Sequence, residues 1–296
     1  MLPTFIGIGA PKCATTWLHN CLDAHPDVFM ADVKETNFFV FDTIEGRLDG
    51  YTAHFEAATD PGAMGELSVS YISSDVAPER VHRHVPNAQL FASLRNPIEQ
   101  TYSYYWHLQR QNFHGWDMDL VNRIQSFEDA LDLLPDLLLE PGFHYRNLQR
   151  WLKYFERSQL HILLLDDIKE NATAELSQLY EHIGVDSSFR PTSMRSNGRS
   201  ARRGTSPRGP FVEKTRQVLY HGLNRYVYHP LKRLVGQYSA DRIKDALHLR
   251  RIMERLFRKE GYPDMHPDTR KRLRRVFEDD IQKLASFLDR DLSHWT

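Results

Sequence analysis

Short apolar runs alternate with longer stretches of helical period through the first two-thirds of the chain. Phe5-Ile6-Gly7-Ile8 reads as a buried strand, followed by a helix with Trp17, Leu18, Cys21 and Leu22 on one face. Val28-Phe29-Met30 is a short extended piece, Tyr51 to Ala58 is helix-like, and Met64 to Ile72 holds a strand and its exit. Val76 to His84 predicts a helix, Ala88 to Leu94 a buried strand, and Ile98 to about Gln111 a helix opened by Pro97. A helix at Tyr145 to Phe155, a strand at His161 to Leu165 and a helix at Ala172 to Ile183, stopped by Gly184, complete the pattern. Strands alternating with helices predict an α/β fold with a central parallel sheet flanked by helices.

Beyond Asp186 the period is lost. The chain is rich in Arg, Ser, Gly and Pro to about Pro210, then reads as helical from Phe211, with Pro230, Gly236 and Gly261-Tyr262-Pro263 as breaks. The expected organisation is one domain over 1–296: an α/β core at 1–186, a basic loop at 187–210 and a helical C-terminal layer at 211–296.

Composition narrows this little. Apolar residues make up 41% of 296, enough for a packed core. No run approaches the roughly 18 apolar residues of a membrane span. The first strand begins almost at Met1 with no charged leader, so the cytoplasm is the expected compartment. Cys13 and Cys21 would lie on the order of 12 Å apart along one loop–helix unit, too far for a disulfide. Cys21 reads as core and Cys13 as a loop thiol reactive by position.

The net charge of −1 conceals a basic stretch. Arg190, Arg195, Arg199, Arg202, Arg203, Arg208, Lys214 and Arg216 are opposed only by Glu213, whereas Asp117 to Glu140 is mostly acidic. A local cationic loop in a neutral chain suggests one anionic ligand held in place.

The candidate chemistry starts after the first strand. In Gly7-Ile8-Gly9-Ala10-Pro11-Lys12-Cys13-Ala14-Thr15-Thr16, small residues permit a tight turn, one lysine follows, and two threonines open a helix. A strand–loop–helix of this kind suits a phosphate. The triphosphatase pattern G-x-x-x-x-G-K-[ST] is not met, because Cys13 stands where a hydroxyl would bind magnesium. The loop therefore reads as P-loop-like and metal-independent.

Three segments together resemble the sulfotransferases that use 3'-phosphoadenosine 5'-phosphosulfate. Pro11-Lys12-Cys13-Ala14-Thr15-Thr16-Trp17 is similar to that family's 5'-phosphosulfate loop P-K-x-G-T-T-W, with Ala14 replacing glycine. Leu94-Arg95-Asn96-Pro97, with Ser103 eight residues after the arginine, resembles its 3'-phosphate motif. Asp280-Ile281-Gln282-Lys283-Leu284 through Asp291-Leu292-Ser293-His294-Trp295 resembles the C-terminal end of many bacterial members. The resemblance implies that Lys12, Cys13, Ala14, Thr15 and Thr16 hold the 5'-phosphate and that Arg95 and Ser103 hold the 3'-phosphate of the donor or of its product, adenosine 3',5'-bisphosphate. It also implies that Trp17 stacks on adenine; core packing is the alternative. Lys12 would neutralise charge developing on the leaving phosphate.

Glu35-Thr36-Asn37-Phe38-Phe39 looks like the E-x-x-F-F segment of Golgi heparan sulfate sulfotransferases, whose glutamate is the catalytic base. Burial against the two phenylalanines would raise its pKa and suit it to proton abstraction; an exposed Lys34–Glu35 pair is the plain alternative. Two departures stand out. Leu67 occupies a position where carbohydrate enzymes often carry lysine, and Ser68 to Tyr71 lacks the histidine base of the cytosolic aryl and steroid enzymes. His82 and His84 fall further on, along a helix.

By its place after the last αβ unit, Asn197 to Gly204 resembles the family's nucleotide-covering loop, which makes Arg199 and Arg203 further candidates for the 3'-phosphate. The acceptor is expected to be a hydroxyl on a small molecule, lipid or carbohydrate, with no nucleic-acid partner. Two rivals remain. A phosphotransferase or nucleotide hydrolase would use Asp166-Asp167 at a strand end for magnesium. A non-catalytic polyanion-binding module would use the 190–216 arginines, although no aromatic residues are interleaved there to stack on bases.

Overall fold

The first apolar run forms the middle of the sheet. β1 (Phe5–Gly9) is buried at every position, which is what a parallel strand covered on both faces requires. The computed structural model describes residues 1–192 and 261–296, except 42, 60, 112, 114 and 115, with the backbone of 205–207 and 258–260. The chain divides into two compact units, Met1–Arg202 with Met265–Thr296, and Arg203–Asp264.

In the first unit the order is β1, α1 (Thr15–Asp23), β2 (Val28–Met30), α2 (Leu48–Ala53), β3 (Ala63–Leu67), α3 (Ala77–His84) and β4 (Gln89–Leu94). Then follow α4 (Pro97–Arg110), the short helices α5 (Met118–Arg123), α6 (Phe127–Leu133) and α7 (Pro135–Leu139), α8 (His144–Trp151), β5 (Leu160–Leu164) and α9 (Leu165–Ile183). The strands lie in the order β2-β3-β1-β4-β5, all parallel.

Two expectations needed adjustment. The helix expected at Tyr51 to Ala58 begins three residues earlier, at Leu48, and ends at Ala53. The helix expected from Ala172 is the second half of α9, which is interrupted at Asn171 (φ −144°, ψ 73°). Asn171 restarts it by accepting the Ala174 N–H on Oδ1 at 3.1 Å, as an N-cap does.

The helices after β1 and β4 enter different layers. α1 shares a core with α9, in which Trp17, Leu18, Cys21 and Leu22 meet Leu176, Leu179, Tyr180 and Ile183. Near the C-terminus, α10 (Pro267–Leu288) packs on α8 and α4 instead. Adjacent parallel strands whose following helices diverge leave a crevice at their carboxyl ends, where α/β proteins bind ligands. β1 and β4 make that crevice. Their register shifts between Gly7 and Gly9, just before the loop.

In the second unit, β6 (Thr205–Pro207) and β7 (Arg258–Glu260) pair antiparallel. β6 falls where the sequence reads as loop, since three residues carry no usable period. The helices expected between 211 and 257, and both Arg199 and Arg203, lie outside the described residues. Among the described residues no helix is long and apolar enough to cross a membrane.

Candidate active site

The loop leaving β1 is tightly confined. Gly9 takes φ +133°, and a Cβ there would stand 2.9 Å from the Val69 carbonyl, so only glycine fits. Lys12 (φ 66°) and Ala14 (φ 62°) are both left-handed, and turns of this kind curl a backbone into an anion-binding nest. Ala14 is the N-cap of α1 and offers no side-chain cap; its carbonyl takes the Trp17 and Leu18 amides at 2.9 and 3.1 Å. The earlier amides of the turn stay uncapped, ready for an incoming acceptor.

The end of β4 is stitched to this loop. Ala10 N donates to the Ser93 carbonyl at 2.9 Å, and Ser93 Oγ donates to the Cys13 carbonyl at 2.6 Å. Arg95 follows, its Nη1 directed at the Lys12 carbonyl at 3.5 Å and its Nη2 3.9 Å from Glu99 Oε2. Glu99 in turn receives Arg270 Nη2 of α10 at 2.6 Å. Ser103 lies buried on α4, two turns further on. The loop after β1 and the end of β4 thus form one corner.

That corner carries surplus positive charge. Burial pushes the Lys12 ammonium down to about 8, with Arg110 and then Arg95 pushing the same way and Glu35 partly opposing. Arg110 escaped the sequence reading. It sits seven residues after Ser103, on the same face of α4, and its Nη2 meets His107 Nδ1 at 3.1 Å. Tyr104 was missed too: its hydroxyl is pushed up by burial and by the Glu35 charge. The helical period after Ser103 signals Arg110, and no local pattern signals Tyr104.

Cys13 is fully buried and its thiol is pushed up to about 12 by that burial. Its Sγ contacts the Pro11 carbonyl at 3.4 Å. The expectation of a reactive loop thiol is therefore corrected: Cys13 can offer a ligand its amide, not its sulfur. Trp17 is 6% exposed and belongs to the buried cluster that α1 and α9 share with Phe5 and Leu67. Thr15 is buried and Thr16 exposed at the mouth of the loop.

Glu35 projects from a loop that runs beside β3. It is left-handed (φ 65°), donates its amide to the Leu67 carbonyl at 3.2 Å, and pairs with Lys34 Nζ. The expected burial against the phenylalanines is not found. The Glu35 side chain is 35% exposed, while Phe38 stacks on Tyr51 and Phe39 packs edge-on to Tyr51 and Tyr71.

The buried carboxyl is Glu66, at the end of β3. It is 1% exposed and accepts four hydroxyls: Thr36 at 2.6 Å and Ser68 at 2.8 Å on Oε2, Tyr71 at 2.8 Å and Tyr51 at 3.0 Å on Oε1. Burial pushes its pKa up despite these four bonds. Asn37 continues the seam, giving its amide to Ser68 Oγ at 3.0 Å and taking Ser70 Oγ on Oδ1. Glu66 thus anchors the loop that presents Glu35.

The remaining sequence candidates are occupied elsewhere. Asp166 receives Lys169 Nζ at 2.8 Å and the Trp295 indole N–H at 2.9 Å, and Asp167 receives both Nη groups of Arg290 at 2.8 and 3.0 Å. The acids that would serve magnesium in a hydrolase are engaged with the C-terminal segment. Arg190, first of the basic stretch, folds back onto the Ser187 and Phe189 carbonyls and Ser177 Oγ.

Comparison with known proteins agrees with this layout. The sulfotransferase domain family model matches residues 2–201. The chain is 28% identical over 198 residues to the human bifunctional heparan sulfate N-deacetylase/N-sulfotransferase 2, covering 62% of this chain and 22% of that protein. It is 27% identical over 216 residues to the corresponding Drosophila melanogaster enzyme, covering 62% and 20%. The chain thus spans about a fifth of the length of these curated relatives. A sulfotransferase crystal structure from Alicyclobacillus acidocaldarius superposes with a TM-score of 0.65 at 20% identity, over 100% of this chain and 99% of that one.

Proposed function

The chain belongs to the sulfotransferase family, and on that premise we propose that it moves a sulfuryl group from 3'-phosphoadenosine 5'-phosphosulfate to an acceptor hydroxyl or amine. The observation that carries this is the joined corner of Lys12 and Arg95, two cations from separate strand ends, with the Arg95 guanidinium 3.5 Å from the Lys12 carbonyl. Two cations from separate strand ends suit a donor with phosphates at both ends of its ribose.

The residues suit the donor. Lys12, the uncapped amides from Cys13 to Thr16 and the threonine hydroxyls hold the 5'-phosphate. Arg95 offers a fork of donors to the 3'-phosphate, joined by the Ser103 hydroxyl. Arg199 and Arg203 are proposed to add to that grip. When bound, the donor supplies the sulfuryl group. Lys12 stabilises charge on the departing phosphate, and Glu35 takes the acceptor's proton. The Lys34 ammonium holds one Glu35 oxygen and leaves the other for that proton.

A small molecule, a lipid or a carbohydrate remains in scope as acceptor. The names of the human and fly relatives, heparan sulfate N-sulfotransferases, favour a carbohydrate and admit an amine. The Cys13 and Cys21 thiols, both buried and neither in a disulfide, support a cytoplasmic setting, and the thiol after Lys12 supports a reaction that needs no magnesium.

The test is thermal melting without magnesium. Adenosine 3',5'-bisphosphate should raise the midpoint by several degrees at saturating ligand while ATP does little. The opposite ranking would favour a nucleotide hydrolase. Labelled donor with a metabolite extract, and chelator present throughout, then identifies the sulfated product by mass.

A further inference from the structure

The C-terminal segment was marked by its resemblance to bacterial sulfotransferases, yet it supplies nothing to the chemistry above. Its last turn closes on the strand end that carries Arg95. Trp295 is 1% exposed, and its carbonyl accepts Asn96 Nδ2 at 3.1 Å, a contact between residues 199 positions apart. Asn96 also works locally, because its Oδ1 accepts the Ile98 amide at 3.0 Å and caps α4, the helix that bears Ser103.

The neighbouring carbonyl is held as well. His144 Nε2 lies 2.8 Å from the Arg95 carbonyl, and since a carbonyl only accepts, Nε2 carries the proton. His144 is completely buried beside the Trp295 ring, with centroids 6.1 Å apart. Burial pushes it down to about 4, so it stays neutral with Nε2 as its donor. The helix presenting it, α8, is capped from the same C-terminal region, since Asp280 accepts the Tyr145 and Arg146 amides at 2.9 and 3.0 Å.

We infer that Asn96 and Trp295, with His144, are positioning residues for Arg95 and Ser103, so that the last turn of the chain sets the grip on the donor's 3'-phosphate. They touch no substrate. They fix the backbone on both sides of the Arg95–Asn96 peptide, and with it the direction in which the guanidinium leaves the strand. The inference rests on the proposal that Arg95 and Ser103 hold the 3'-phosphate, and it assigns a purpose to the tail that the transfer chemistry leaves idle.

The experiment compares adenosine 3',5'-bisphosphate with adenosine 5'-monophosphate, which lacks the 3'-phosphate, by calorimetry on the full chain. Asn96→Ser is the informative variant, because serine still caps α4 and is too short to reach Trp295. The wild type should prefer the bisphosphate. Asn96→Ser should lose about five- to tenfold in bisphosphate affinity, with monophosphate affinity within about twofold of wild type. Equal losses for both nucleotides would mean a merely structural role and overturn the inference, as would an unchanged preference. A wild type indifferent to the 3'-phosphate would instead overturn the clamp itself.

Discussion

Ser93 Oγ donates to the carbonyl of Cys13 at 2.6 Å, joining residues from two strand ends inside the protein. Both residues are fully buried, so without the hydroxyl that carbonyl has no water to turn to. Ser93→Ala should cost about 1–3 kcal/mol of stability and weaken adenosine 3',5'-bisphosphate, because the loop would be free to drift from Arg95. Urea unfolding and calorimetry check the two effects. A variant that unfolds with the wild type and binds as tightly would show that the stitch is incidental.

Ala14 stands in the left-handed region, at φ 62° and ψ 16°, where the related motif carries glycine. An alanine in that conformation is strained by about 1–2 kcal/mol, while glycine adopts it without steric penalty. Ala14→Gly should therefore stabilise the chain by about 0.5–1 kcal/mol, after allowing for the extra freedom of glycine when unfolded. Chemical denaturation provides the measurement; a loss of stability would mean that the Ala14 methyl makes packing contacts worth more than the strain.

The fold was legible because each sheet strand is a short apolar run, mostly buried on both faces, and apolar runs separated by helical periods admit few arrangements. Leu90 to Leu94 and Phe5 to Ile8 could hardly be anything else. The part of α9 before Asn171 was not legible as helix, because six residues with four charges among them are too few to show a period. β6 was missed for the opposite reason, being too short to have a period at all.

The Lys12 ammonium, pushed down to about 8 mainly by burial and then by Arg110 and Arg95, gives nucleotide binding a pH dependence. A bound phosphate favours the charged form and so raises this pKa. Affinity for adenosine 3',5'-bisphosphate should be complete below about pH 8 and fall as pH rises through it, by up to about tenfold per unit. Titrations from about pH 7 to about pH 9.5 test this, and Lys12→Met should flatten the profile. A wild-type affinity constant across that range would detach Lys12 from the phosphate.

The site was only partly legible. The proposed donor-binding residues Lys12 and Arg95 follow from local motifs at strand ends, and Ser103 from its spacing after Arg95. Arg110 and Tyr104 do not, since a helix brings them to the corner by turning, and a period of 3.6 offers several equivalent faces until a neighbour chooses one. Glu66 illustrates the harder case. Its four partners, Thr36, Tyr51, Ser68 and Tyr71, come from three separate segments, and no spacing along the chain encodes their convergence.

Glu66 uses both oxygens twice as acceptors, which an amide cannot reproduce. Glu66→Gln turns one oxygen into a donor facing the Thr36 and Ser68 hydroxyls or the two tyrosines, leaving buried groups mismatched at about 1–3 kcal/mol. The loop that loses its anchor carries Glu35, not Lys12. Turnover should fall more than donor binding, and Thr36→Val should show the same split while Thr36→Ser restores the wild-type value. Equal loss of turnover and binding in Thr36→Val would place the effect in general stability.

Glu35 itself gives the sharpest test of the transfer step. Its carboxylate influences Lys12, His19 and Tyr104, so its charge reaches both the β1 loop and α4. Glu35→Gln keeps the size and the backbone turn while removing the basic oxygen. Removal of a positioned general base lowers rates by about 10²–10⁴-fold, and single-turnover transfer to the acceptor found in the extract screen should show a loss of that size. Calorimetry with adenosine 3',5'-bisphosphate should give an unchanged or slightly tighter constant, because the substitution removes an anion set against Lys12. Turnover at the wild-type level would remove Glu35 from the role of base.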